Sequence, residues 1–319
     1  MHIIVTGGAG FIGSNFISYL SKYHSSEIHK ISVIDKITYA GKWRNIPAMQ
    51  SGLVETFELD INEISKLSDL VEQADYIVNF AAESHVDRSI DSDKIFIESN
   101  ILGVHSILRT ILKVNPSIRF LQVSTDEVYG SINTGSWSED SPLEPNSPYA
   151  ASKASADLLV RSYFKTHGLD VVTTRCSNNY GPNQLTEKFI PKIITNALMG
   201  IQIPVYGSGQ NIRDWIFVED HCKAIYKCLV KGSAGDIYNI SGNNEINNLD
   251  IVLRIRSIMD FDPSLLVFVP DRKGHDFRYS LTGEKIASEL GFNPEVNFMQ
   301  GLTNTIDWYE SNTWFWENE

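Results

Sequence analysis

The chain has 319 residues, 42% of them hydrophobic and 21% charged, with a net charge of −12. That length admits two domains, or one large sheet domain with a smaller companion. The acidic balance argues against nucleic acid as the main partner, since that calls for a basic face, but it leaves room for a phosphorylated small substrate if the few cations gather at its site. No apolar run approaches the roughly 18 residues of a membrane span. The three cysteines, Cys176, Cys222 and Cys228, form no CxxC pair. Reduced thiols in a cytoplasmic protein are expected, with neither a zinc site nor a disulfide framework.

Residues 2–6 read as a buried strand rather than a signal peptide. Gly7-Gly8-Ala9-Gly10-Phe11-Ile12-Gly13 follows, then an amphipathic helix with Phe11, Ile12, Phe16, Ile17 and Leu20 on one face. A second strand, Ile31–Ile34, ends in Asp35. Glycines at Gly7, Gly10 and Gly13 let the backbone approach a pyrophosphate, which the helix N-terminal amides then meet. A carboxylate at Asp35 suits a ribose diol and repels a 2′-phosphate, so NAD is favoured over NADP. A third strand, Val54–Leu59, leads into Asp60-Ile61, a plausible adenine contact. After the strand at 76–80, Ala81 and Ala82 are small enough for a cofactor to pass, or simply for close packing. His85 and Asp87 lack a third ligand at a suitable spacing, so no metal is expected.

Residues 93–113 and 149–167 are predicted helices with apolar residues on more than one stripe. One face of each can cover a sheet while the other needs a partner, so a homodimer through these two helices is expected. Between them, Phe120–Val123 forms a buried strand that ends in Ser124-Thr125-Asp126-Glu127. Adjacent carboxylates at a strand's carboxyl end are either an acid and a base or an ordinary polar exit. Ser147 and Pro148 are a natural N-cap and first helical residue, which puts Tyr149 and Lys153 one turn apart on one face. A lysine ammonium there is expected to lower the phenol's titration and make Tyr149 a base. The remaining chain alternates strands (202–206, 214–218, 236–240, 265–269) with helices (188–200, 219–231, 248–260, 283–290, 300–312). Lys188, Arg213, Arg272, His275 and Arg278 fall in its loops or element ends and suit a diphosphate. The Trp314-Phe315-Trp316 tail reads as packing or interface.

With GGAGFIGS, NFAAESHVDRSI, VSTDEVYG, SPYAASKASAD, RCSNNYGP, QNIRDWIFVEDH and DRKGHDFRY in this order, the chain resembles the extended short-chain dehydrogenases, and among them the nucleotide-sugar 4,6-dehydratases. The resemblance runs from Ile3 to about Tyr309 and implies an α/β fold. A Rossmann-type doubly wound parallel sheet would occupy 1–176, with 213–240 returning to it, and a smaller mixed α/β substrate domain would occupy 177–212 and 241–319. It implies NAD contacts from Phe11, Ile12, Asp35, Lys36, Asp60, Ile61, Ala81, Ala82, Ser99, Tyr149, Lys153 and Asn179. It implies a pocket for dTDP-glucose, or a related nucleotide sugar, from Ser84, Thr125, Asn178, Lys188, Phe189, Pro204, Tyr206, Arg213, Asn248, Arg272, His275 and Tyr279. Tyr149, helped by Thr125 and Lys153, would take the 4-hydroxyl proton as hydride passes to NAD. Glu127 would then remove the proton on carbon 5, Asp126 would protonate the departing 6-hydroxyl, and hydride would return to carbon 6. Asp126 stands against the rival reading of a 4-epimerase, which needs no such acid. The full Thr125, Asp126, Glu127, Tyr149 and Lys153 set stands against a non-catalytic NAD-binding regulator.

Overall fold

Runs rich in β-branched residues build one seven-stranded parallel sheet in the computed structural model, which describes residues 1–46, 52–271 and 276–317. Its strands are β1 (His2–Thr6), β2 (Lys30–Asp35), β3 (Val54–Glu58), β4 (Tyr76–Asn79), β5 (Arg119–Thr125), β6 (Val171–Cys176) and β10 (Ile237–Ile240), in the order β3-β2-β1-β4-β5-β6-β10. Because side chains alternate along a strand, the two faces feed two separate cores. Ile3, Val5, Ile31, Val33, Leu121 and Val172 pack on one side, under the helices Phe11–Tyr23, Val218–Lys231 and Glu284–Leu290. Ile4, Ile34, Ile77, Phe120 and Val171 pack on the other, under the helix Lys94–Val114 and the helix Pro148–His167. Strand order reverses between β1 and β4, and the crevice at that switch point, beyond the strands' carboxyl ends, is where such sheets bind ligands.

The second half adds two small sheets over a third core. β9 (Ile212–Phe217) pairs in parallel with β7 (Asn178–Tyr180) and antiparallel with β11 (Glu245–Asn247), and β8 (Ile203–Tyr206) pairs with β12 (Leu266–Val269). The helices Phe189–Met199, Asn248–Met259 and Phe298–Ser311 cover them, and Phe315 and Trp316 of the tail are buried in the same core. β7 and β11, at three residues each, are too short to carry a periodic signal and were not expected. Of the segment 213–240, the helix and β10 join the main sheet, but β9 does not. The chain leaves β6 at Ser177, and β7 carries the ladder over to β9 instead.

Lys94–Val114 is also less regular than its pattern suggests, with a π-helical stretch at Ile97–Leu102 in its first half. By length and composition this helix could cross a membrane, but half of its apolar window is buried in the molecule. A π-helical stretch re-aims the residues it contains. Here Ser99 and Asn100 are buried, and Asn100 accepts from the Glu83 amide at 2.9 Å while donating to the Glu83 carbonyl at 3.0 Å and to Ser152 Oγ at 2.8 Å. That clamp fixes the loop after β4 to the start of Pro148–His167.

Candidate active site

The first cavity, about 290 Å³, lies along the carboxyl ends of β1, β2, β4, β5 and β6. Gly7 stands at φ 67, and a Cβ there would lie 2.5 Å from the Ala81 amide nitrogen, so β1 and β4 can turn past each other only with glycine. Helix Phe11–Tyr23 begins at Gly10 with no side-chain cap. Its first amides therefore open onto the cavity as an anion site. Asp35 is buried, and its two oxygens accept the Ala9 and Ile37 amides at 3.0 and 2.9 Å. Burial pushes its carboxyl up from the ordinary value, against those two hydrogen bonds. Lys36 pairs with Asp60 at 3.5 Å nearby. Every residue expected at the cofactor lines this cavity, from Gly7, Gly10, Phe11, Ile12 and Gly13 through Ile61, Ala82 and Ser99 to Asn179. Asn179 is held from behind by buried His221, whose Nδ1 donates to the Asn179 oxygen at 2.8 Å.

At the end of β5, Thr125 caps a 3₁₀ turn, Asp126–Tyr129, by accepting from the Glu127 amide at 3.3 Å. The Thr125 hydroxyl donates to Asp126 Oδ1 at 3.1 Å and lies near the Tyr149 phenol. Asp126 is buried, and its Oδ2 has no partner among the described residues. Burial first, and then the Glu127 carboxylate, push the Asp126 carboxyl up to about 8. It is therefore mostly neutral at pH 7 and can donate a proton, the property a general acid needs.

Ser147 caps the Tyr149 helix as expected, accepting from the Ala150 amide at 3.1 Å, with Pro148 in the first turn. Tyr149 and Lys153 are both buried, but the expected lowering of the phenol by the lysine is not present in the protein alone. Burial, then Glu127, Cys176 and Asp126, push Tyr149 well above its ordinary value. Lys153 donates to the Val123 carbonyl at 2.7 Å, and burial pulls its ammonium down. One ammonium shared with a carbonyl does not outweigh two carboxyl groups in a dry site.

A second cavity of the same volume, about 290 Å³, adjoins the first, and Ser84, Glu127, Asn178 and Lys188 line both. It brings together Phe189, Pro204, Tyr206, Arg213, Asn248 and Tyr279 from five separate stretches. Phe189 stacks on Trp215 with ring centroids 6.2 Å apart, and Arg213 lies 4.4 Å over the Tyr279 ring. Carbonyls hold Arg213 in place, that of Ile212 at 2.7 Å and that of Asp276 at 2.8 Å. Lys188 donates to the Ser84 carbonyl at 2.8 Å. Asn178 Oδ1, like Asp126 Oδ2, is buried without a partner among the described residues. Arg272 and His275 lie outside the described residues. Arg278 is not part of either cavity; it is occupied by both oxygens of Glu245, at 2.6 and 2.8 Å. Glu83, Ser147, Glu187, Trp215 and Asp276 line the cavities without having been foreseen. Of these, Glu83, Ser147, Trp215 and Asp276 lie within the motifs quoted above, and only Glu187 carried no such signal. No cluster of His, Cys, Asp and Glu among the described residues could hold a metal.

A family model described as GDP-mannose 4,6 dehydratase matches residues 4–305. The chain is 47% identical over 320 residues to a dTDP-glucose 4,6-dehydratase of an Actinoplanes species, covering 99% of this chain and 100% of that one. It superposes with a TM-score of 0.97 and 47% identity on the dTDP-glucose 4,6-dehydratase of Streptomyces venezuelae solved with NAD bound, covering 100% and 99% of the two chains. The dTDP-glucose 4,6-dehydratase of Bacillus anthracis in complex with NAD gives a TM-score of 0.92 at 43% identity, with the same coverage.

Proposed function

Because the chain belongs to the GDP-mannose 4,6 dehydratase family, we propose that it is an NAD-dependent dTDP-glucose 4,6-dehydratase, which forms the 4-keto-6-deoxy sugar and water. The observation that carries this reading is the adjacent Asp126-Glu127 pair, Asp126 buried and mostly neutral at pH 7, with Glu127 lining both cavities. The glycine cradle, the uncapped helix start and Asp35 fit a dinucleotide with an unmodified ribose. Bound NAD supplies a hydride acceptor and, in its oxidised form, a positive charge that favours the phenolate. Tyr149 takes the proton of the 4-hydroxyl, with the Thr125 hydroxyl near it and Lys153 one helical turn away. The ketone acidifies carbon 5, so Glu127 can remove that proton while Asp126 protonates the departing 6-hydroxyl. Adjacent carboxyl groups can divide this work because burial has driven one of them neutral. Lys188 and Arg213 supply the cations for the diphosphate in an otherwise acidic chain.

Turnover of dTDP-glucose deuterated at carbon 4 tests the whole sequence. The label is expected in the new methyl group, and turnover in heavy water is expected to put solvent deuterium at carbon 5. Label that returns to carbon 4 of an epimerised sugar, with no loss of water, would overturn the reading.

The protein works in the cytoplasm, in keeping with three free, buried cysteines, and as a homodimer. Helices Lys94–Val114 and Pro148–His167 pack side by side and leave Ile97, Leu102 and Leu158 47%, 50% and 57% exposed. Leu159, the next residue on the same helix, instead packs against the core beneath the sheet. Leu158→Glu is therefore the informative change. It should convert a dimer to a monomer by light scattering at micromolar concentration, and an unchanged mass would exclude this face as the interface.

A further inference from the structure

Arg175 sits in the middle of the molecule, 3% exposed, near the end of β6. A buried guanidinium is costly unless its donors are matched, and removing a partner leaves a charge stranded. Its Nε donates to Asp157 Oδ2 at 2.9 Å, and its Nη1 donates to the Tyr129 hydroxyl at 2.7 Å. Tyr129 in turn donates to Asn239 Oδ1 on β10 at 2.9 Å, and Trp137 stacks on its ring at 6.2 Å between centroids. These contacts join two particular elements. Tyr129 closes the turn that begins with Asp126 and Glu127. Asp157 lies one helical turn beyond Lys153 and two beyond Tyr149.

An arginine kept only to neutralise a buried aspartate would be expected to meet both carboxylate oxygens with its fork. Here Asp157 Oδ1 is left without a partner among the described residues, while the second arm of the guanidinium reaches Tyr129. The geometry favours connection over satisfaction of the carboxylate. From this we infer that Arg175 is a positioning residue: it ties the acid–base turn to the tyrosine–lysine helix, so that proton removal at carbon 4 and elimination across carbons 5 and 6 reach one sugar held in one place. The inference rests on the dehydratase reading above. Lysine cannot take over the role, because one ammonium on a flexible stem does not span two fixed partners. Misplacement of catalytic groups by about 1 Å can cost on the order of a hundredfold.

Removing Arg175 outright strands Asp157 and risks the fold, so Tyr129→Phe is the cleaner probe. It deletes one hydroxyl and leaves the ring, the ion pair and the core in place. With dTDP-glucose, kcat is expected to fall about tenfold with KM within about twofold. Rapid quenching should show more of the 4-keto sugar that still bears its 6-hydroxyl, because elimination depends on the loosened turn. Arg175→Lys should shift the same ratio in the same direction. Parent protein that forms no 4-keto-6-deoxy sugar would overturn the functional reading itself. Parent protein that forms it, beside a Tyr129→Phe variant with an unchanged ratio of the two keto sugars, would overturn the positioning role alone. A fall in kcat that merely follows lost thermal stability, with that ratio unmoved, would also overturn it.

Discussion

Tyr149→Phe is expected to lower kcat by roughly 10²–10⁴-fold, the usual range for losing a positioned acid–base group. The ring is buried and packs edge-on to Phe96 at 6.3 Å, so the change removes one oxygen and leaves that packing intact. Both later steps depend on the ketone at carbon 4. The variant should therefore release no product, take up no solvent deuterium at carbon 5 and form no 4-keto sugar on rapid quenching. Any variant that oxidises carbon 4 within tenfold of the parent rate would mean that another group takes the proton. Thr125 is the one to suspect, since its hydroxyl lies near the same phenol.

Asp126→Asn should separate elimination from oxidation. An amide cannot deliver a proton to the departing hydroxyl, so turnover should fall by roughly 10²–10⁴-fold. Glu127 remains, and the 4-keto sugar should still exchange its carbon 5 proton with heavy water while keeping its 6-hydroxyl. Glu127→Gln should lose that exchange as well. The pH dependence has a definite sign. The Asp126 carboxyl, raised to about 8, is loaded with its proton below that value, so the elimination step should slow as pH rises through it. Stability moves the same way. A carboxyl whose folded value is raised contributes stability that is fully present below its unfolded value, about 4, and is lost as pH rises through the folded one. Asp126→Asn should flatten both dependences. A parent enzyme whose elimination rate holds steady well above pH 8 would show that Asp126 is not the acid.

Most of the site was legible because its chemistry is local. A strand, three glycines at fixed spacing and a helix start lie within a dozen residues, and Tyr149 and Lys153 within one helical turn. Thr125, Asp126 and Glu127 adjoin in the chain. What escaped was set by distant partners. Arg278 looked like a phosphate clamp until Glu245, from another strand, took its fork. Nothing in the sequence says that Leu159 faces the sheet while Leu158 faces out, because both belong to an apolar stripe with two sides. The π-helical turn that brings Asn100 to Glu83 is invisible to a 3.6-residue period. Arg175 read as one residue of a motif, and only three-dimensional packing joins it to Tyr129 and Asp157. The pairing of Lys153 with Tyr149 predicted a lowered phenol, but burial and two carboxyl groups weigh more.

The Thr125 hydroxyl, bonded to Asp126 and placed near Tyr149, has a consequence for where atoms end up. Over a full cycle the sugar loses the hydrogen of its 4-hydroxyl, and the water that departs carries one hydrogen more than the 6-hydroxyl it came from. On the roles proposed above, Tyr149 would finish each round holding a hydrogen too many, and Asp126 one short. The threonine oxygen, bonded to Asp126 and near Tyr149, offers a route between them. The hydride therefore travels a closed loop from carbon 4 to carbon 6, and beneath it runs a second loop for protons. On these roles its return leg is a single side chain.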